Sequence, residues 1–136
     1  DVVCHGRRWI EHYLLDDQPA PVSHYCHGVK VAGHLWISGT VGLTAKGEMP
    51  EDVVSQFKIC MDNIDGVLRA AGGRPEHIVK VQVFLTDIND RAKINPIREA
   101  YFGDHRPAST LVEVSALIKP GLKVEIEAEA VIPQKS

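Results

Sequence analysis

The spacing of apolar residues changes along the chain, and each change marks an element. From Gly28 to Thr40, the apolar positions Val29, Val31, Leu35, Trp36 and Ile37 stand on either side of Gly33. This predicts two short strands joined by a tight turn, with Ser38-Gly39-Thr40 closing the second. Between Asp52 and Ala71, the residues Val53, Phe57, Cys60, Met61, Ile64, Val67 and Leu68 recur at intervals of three and four. That is the apolar stripe of an amphipathic helix, and Gly72-Gly73 ends it because glycine accepts the left-handed conformation of a helix C-cap.

The run Ile78-Val79-Lys80-Val81-Gln82-Val83-Phe84-Leu85 is β-branched and partly alternating, which predicts a largely buried strand. A second helix is predicted to start at Asn95, with Pro96 at the first helical position where its missing N–H costs nothing, and to run to about Phe102. Two final strands, near Thr110 to Leu117 and Leu122 to Ile132, flank Lys119-Pro120-Gly121, a turn sequence that predicts an antiparallel hairpin. Residues 1–21 show no sustained period and read as an irregular N-terminal arm before a single domain over residues 22–136.

The order β-β-α-β-α-β-β predicts an α+β fold, a single-layer sheet with both helices on one face. The other face then needs cover. Val112, Val114, Val124 and Ile126 lie on one side or the other of their strands, and packing of sheets from several subunits would satisfy those that face away from the helices.

Composition narrows the function. A chain of 136 residues fits one core, and no apolar run approaches the roughly 18 residues of a membrane span. No charged leader with an apolar stretch opens the sequence, so export is not expected. Three cysteines, Cys4, Cys26 and Cys60, are too few and scattered for a disulfide framework, which points to a reducing cytosol. A net charge of −3 offers no broad attraction to phosphate backbones, so nucleic acid is a minor expectation. No glycine-rich phosphate loop follows a strand, and no cofactor is expected. His24-Tyr25-Cys26-His27 lacks a third convincing ligand and metal-binding spacing, so no metal is expected. Cys60 falls in the helix stripe and reads as core, whereas Cys26 would react only if exposed in an electropositive setting.

From about Pro21 to Pro133 the chain resembles the Rid (YjgF-like, reactive intermediate deaminase) family, whose members are also called endoribonuclease L-PSP. The resemblance rests on Ser23-His24-Tyr25-Cys26-His27-Gly28, on Trp36-Ile37-Ser38-Gly39-Thr40, and on Phe84 to Asp90 with Ile94-Asn95 and Tyr101-Phe102. Most diagnostic is Arg106-Pro107-Ala108-Ser109-Thr110-Leu111-Val112-Glu113-Val114 followed by Lys123 to Ala128. It implies a chorismate-mutase-like fold, a homotrimer and clefts between neighbouring subunits that take a small-molecule metabolite.

In the family's deaminases an arginine in Pro-Ala-Arg grips the carboxylate of 2-imino or 2-enamino acids, and water then releases ammonia and a 2-keto acid. Here Ser109 stands at that position, a hydroxyl supplies neither the charge nor the paired donors of a guanidinium, and the family's usual 2-imino acid substrate is therefore expected to bind poorly. The resemblance carries Glu125 over as the residue that positions water and Tyr25 as a cleft donor, while the amides of Gly39 and Leu111 match positions that line the cleft.

Each reading has a plainer counterpart. Glu125 alternates with Glu127 and Glu129 as solvated strand carboxylates do, and Tyr25 reads equally as a half-buried aromatic with a wet hydroxyl. Ser109 with Thr110 offers hydroxyls to a neutral substrate or simply opens a strand. Arg91 and Arg106 are candidates for a relocated cation or ordinary loop arginines. The residues thus leave open a hydrolytic deaminase or related hydrolase acting on a small enamine or imine, a non-catalytic trimeric metabolite-binding protein, and an endoribonuclease or translation inhibitor.

Overall fold

A computed structural model describes residues 9–134. Cys4 and part of the expected arm lie outside the described residues. Among them six strands form one sheet: β1 (Glu11–Tyr13), β2 (Gly28–Val31), β3 (His34–Val41), β4 (Ile78–Leu85), β5 (Ala108–Glu113) and β6 (Val124–Val131). The helices are α1 (Val53–Ala70) and α2 (Arg91–Phe102), and the order across the sheet is β1-β2-β3-β6-β4-β5. The segment read as irregular therefore contributes an edge strand, β1, which pairs antiparallel with β2 through Tyr13 opposite Gly28.

Local chemistry explains most boundaries. Ala32 and Gly33 take φ values of 48° and 87°, the two positive-φ positions of a tight hairpin turn whose twist matches the flanking strands β2 and β3. Asp52 caps α1 by accepting from the Ser55 amide at 2.8 Å. At the other end the Gly72 amide donates to the Arg69 carbonyl and the Gly73 amide to the Leu68 carbonyl. With Gly72 at φ 89°, this is the Schellman arrangement that the glycine pair predicts.

The core lies between the helices and one sheet face. Leu35 and Ile37 from β3, Ile78, Val81, Val83 and Leu85 from β4, and Val124 and Ile126 from β6 pack against Phe57, Cys60, Ile64 and Leu68 of α1 and Ile94 of α2. Tyr101 closes the helix layer, its hydroxyl donating to Asp65 Oδ1 at 2.6 Å. No helix among the described residues is long and apolar enough to cross a membrane.

Two expectations are corrected. The second helix starts at Arg91, after a 3-10 turn over Ile88–Asp90, so Pro96 lies inside it rather than at its first position. Ile94, fully buried, anchors the extra turn to the core, and that tertiary contact outweighs the one backbone hydrogen bond that Pro96 cannot make. The final strands also do not form a hairpin. β5 pairs parallel with one edge of β4 and β6 pairs antiparallel with the other. They are two strand spacings apart, about 10 Å, so residues 114–123 cross the end of β4 instead of turning tightly. The Val114 amide donates to the Leu85 carbonyl and the Thr86 amide to the Lys123 carbonyl, which fixes that crossing.

Candidate active site

The uncovered sheet face carries the candidate chemistry, and a loop clamped at several points overhangs it. His27 is buried; its Nδ1 accepts from the Leu15 amide at 2.9 Å and its Nε2–H donates to the Pro19 carbonyl at 2.9 Å. Both ring nitrogens are engaged in holding the loop, and that fixes the tautomer. Gln18 Nε2 donates to the Asn63 carbonyl on α1 at 2.8 Å, and the Ser38 hydroxyl donates to the Cys26 carbonyl at 2.6 Å. Tyr25, between these anchors, is held beside β3.

The loop and the sheet enclose an open cavity of about 610 Å³ whose lining includes Val22, Tyr25, Trp36, Gly39, Glu125 and Glu127. Ile118 from the crossing loop also lines it. That size suits a small metabolite. Trp36 is stiffened by stacking on His34, with ring centroids 3.9 Å apart, and His34 Nε2 lies 3.2 Å from Glu129 Oε2.

Glu125 and Gly39 fit each other. The pairing of β3 with β6 shifts between Ile37 and Thr40, so Gly39 falls in a bulge, next to the strand position where Val41 opposes Glu125. A Cβ on Gly39 would fall on Glu125 Oε2 and come within 3.1 Å of its Cδ, so only glycine leaves space for the carboxylate there. Burial, and then the negative charge of Glu127, hold the Glu125 carboxyl above its ordinary range. Once ionised, such a group is a better proton acceptor than a free surface carboxylate. The arrangement can therefore take a proton from a water molecule held in the cavity.

Cys60 lies across the sheet from this carboxylate, fully buried, and burial pushes its thiol far up, which leaves it an inert core residue. Cys26 is half-buried, and its thiol donates to the Gly28 carbonyl at 3.2 Å.

The other sequence candidates sit elsewhere in the chain. Ser109, Thr110 and Leu111 are on β5, which is separated from β6 by β4. The register pairs Val81 with Ser109, so Ser109 points to the helix side, whereas Thr110 shares the open side with Gln82. Thr110 Oγ1 accepts from Lys80 Nζ at 3.4 Å. Arg91 is the first residue of α2 and Arg106 precedes β5; both are exposed and neither lines the cavity. The structure thus unites Tyr25, Gly39 and Glu125, and leaves Ser109, Thr110 and Leu111 on a separate edge. It also brings up a residue that sequence reasoning missed: Arg98 of α2, whose Nη2 donates to Ser109 Oγ at 2.9 Å. Its helical position carried no signal, because the docking of α2 beside β5 is set by the chain's path.

A family model described as Endoribonuclease L-PSP matches residues 15–132. The chain is 39% identical over 120 residues to the 2-iminobutanoate/2-iminopropanoate deaminase of Escherichia coli K12, covering 85% of this chain and 93% of that one. Among solved structures it is similar to the YjgF gene product of Escherichia coli, at 38% identity and a TM-score of 0.80 over 87% of this chain and 95% of that one. It is also similar to RidA from the Antarctic bacterium Psychrobacter, at 35% identity and a TM-score of 0.83 over 93% and 100%.

Proposed function

We propose, from the premise that this chain belongs to the Endoribonuclease L-PSP family of Rid and YjgF proteins, that it hydrolyses the C=N bond of a small imine. The observation that carries the reading is Glu125, a carboxylate with raised proton affinity seated over Gly39 and facing a metabolite-sized cavity. A plain deaminase role is also what the name of the Escherichia coli relative states for that protein.

The chemistry follows from the groups present. Water enters the cavity, and Glu125 takes one of its protons as the oxygen bonds to the imine carbon. The C=N π bond breaks and its electron pair goes to nitrogen, which takes up a proton; Tyr25 is the donor we assign to that side. The tetrahedral carbinolamine then collapses: the nitrogen gains the proton held by Glu125, the C–N bond breaks and ammonia leaves, and the hydroxyl proton returns to the Tyr25 oxygen as the carbonyl forms. Atoms balance as imine plus water giving ketone plus ammonia.

A homotrimer in the cytosol is part of this reading. One edge of β5 has no strand partner among the described residues, and the open face or its rim exposes Trp36, Val112 and Val131 by 43%, 40% and 49%. Neighbouring copies packed on these groups would bring the Ser109 edge of one chain to the Glu125 cavity of another.

The test is ammonia release from freshly generated 2-iminobutanoate, corrected for spontaneous hydrolysis. The wild-type chain should accelerate it and Glu125→Gln should lower that acceleration by about 10²-fold or more. Saturable binding of 2-oxobutanoate without acceleration would instead favour a metabolite-binding protein, and an absence of both would remove the reading.

A further inference from the structure

Position 109 is a serine, and its hydroxyl is occupied: Arg98 Nη2 donates to it at 2.9 Å. Arg98 projects from the third turn of α2, behind the β5 edge, and is half-buried. Arg69 and Arg74 each meet a carboxylate, whereas Arg98 takes part in no ion pair among the described residues. A guanidinium has five N–H donors, and the one hydrogen bond found here engages a neutral acceptor. Burial lowers the proton affinity of Arg98, because desolvation disfavours its charged form.

We propose that Arg98 is the anion-binding group of this protein, a guanidinium delivered from α2 to the β5 edge and oriented by Ser109, where it holds the carboxylate of the substrate. The inference rests on the imine-hydrolysis reading for the identity of the anion, and it assigns that reading a charged, 2-imino acid substrate. Size explains the pairing. Serine at 109 is short enough to leave the space beside β5 to the guanidinium and polar enough to fix its orientation. A second arginine at 109 would put two positive charges within reach of one another. Delocalised and planar, the guanidinium keeps donors free for a bidentate grip on a carboxylate.

Equilibrium binding and kinetics separate this inference from the activity. Binding of 2-oxobutanoate, the hydrolysis product, would be measured by titration calorimetry alongside KM and kcat for 2-iminobutanoate, in the full chain. Arg98→Gln should weaken 2-oxobutanoate binding and raise KM by about 10- to 100-fold with little change in kcat, and Arg98→Lys should fall between. The double variant Arg98→Gln with Ser109→Arg should recover most of the loss, and binding of the uncharged 2-oxobutanamide should be unaffected by any of them. Unchanged KM and binding in a folded Arg98→Gln overturn the proposal while leaving hydrolysis in place. If Arg98→Gln does not fold, the same comparison on Arg98→Lys decides. Arg98-dependent binding without turnover keeps the anion site and removes the hydrolysis reading. Failure of the wild-type chain to bind 2-oxobutanoate overturns the anion site.

Discussion

Gly39 and Glu125 act as one unit across β3 and β6, because the space that glycine leaves is the space the carboxylate fills. Gly39 has no left-handed φ, so alanine there is acceptable to the backbone and its effect would come from displacing Glu125. Gly39→Ala should therefore lower kcat at least about tenfold while circular dichroism remains unchanged. The carboxyl's own pH behaviour gives a second handle. Its proton affinity in the fold is raised above the ordinary value of 4.5, so the fold favours the protonated form. That contribution to stability is fully present below the unfolded value and is lost as pH rises through the higher folded value. Glu125→Gln removes the loss, and above that window it should be more stable than wild type by about 1 kcal/mol or less, read from melting at fixed protein concentration. Activity runs the opposite way, since the base must be ionised: turnover should rise with pH through the raised value, and the acid limb should lie above pH 4.5. At this scale the sequence named Tyr25, Gly39 and Glu125 through resemblance, but periodicity alone grouped Glu125 with Glu127 and Glu129. Only the bulge at Gly39 distinguishes it from its neighbours.

At the scale of elements, α1 does more than cover the sheet. Gln56, fully buried on its inner face, donates to the Pro50 carbonyl at 2.8 Å and the Gly121 carbonyl at 3.0 Å, and accepts from the Lys123 amide at 2.8 Å. It thereby ties both the approach to α1 and the end of the crossing loop to one side chain. Gln56→Ala leaves three backbone groups unpaired and should cost about 3 kcal/mol or more by chemical denaturation. It should also weaken substrate binding, because Ile118 of that loop lines the cavity. The elements themselves were largely legible: the α1 stripe, the β2–β3 turn and the limits of β4 follow from contacts between residues close in sequence. Pro96 misled because it is a start signal only when nothing holds the preceding turn, and buried Ile94 holds it here. Pro120-Gly121 misled likewise, since a turn sequence does not say whether the strands it connects are neighbours.

For the whole molecule, the expected assembly is a mass three times that of the 15.0 kDa chain by light scattering. Trp36→Glu places a charge on the open face and should dissociate it, with loss of turnover if the β5 edge of one copy completes the cavity of another. A monomeric Trp36→Glu that remains active would mean that one chain suffices. What the sequence determined by itself is the layered α+β class and its elements apart from β1 and the start of α2, because helix and strand signals repeat over two to four residues and survive without knowledge of the chain's path. What only the tertiary structure decided is adjacency: β6 placed between β3 and β4, Glu125 over Gly39, and Arg98 against Ser109. The physical reason is that these contacts join residues far apart in sequence, and the packing of buried side chains between helix and sheet, which no local pattern encodes, selects which of the possible neighbours meet.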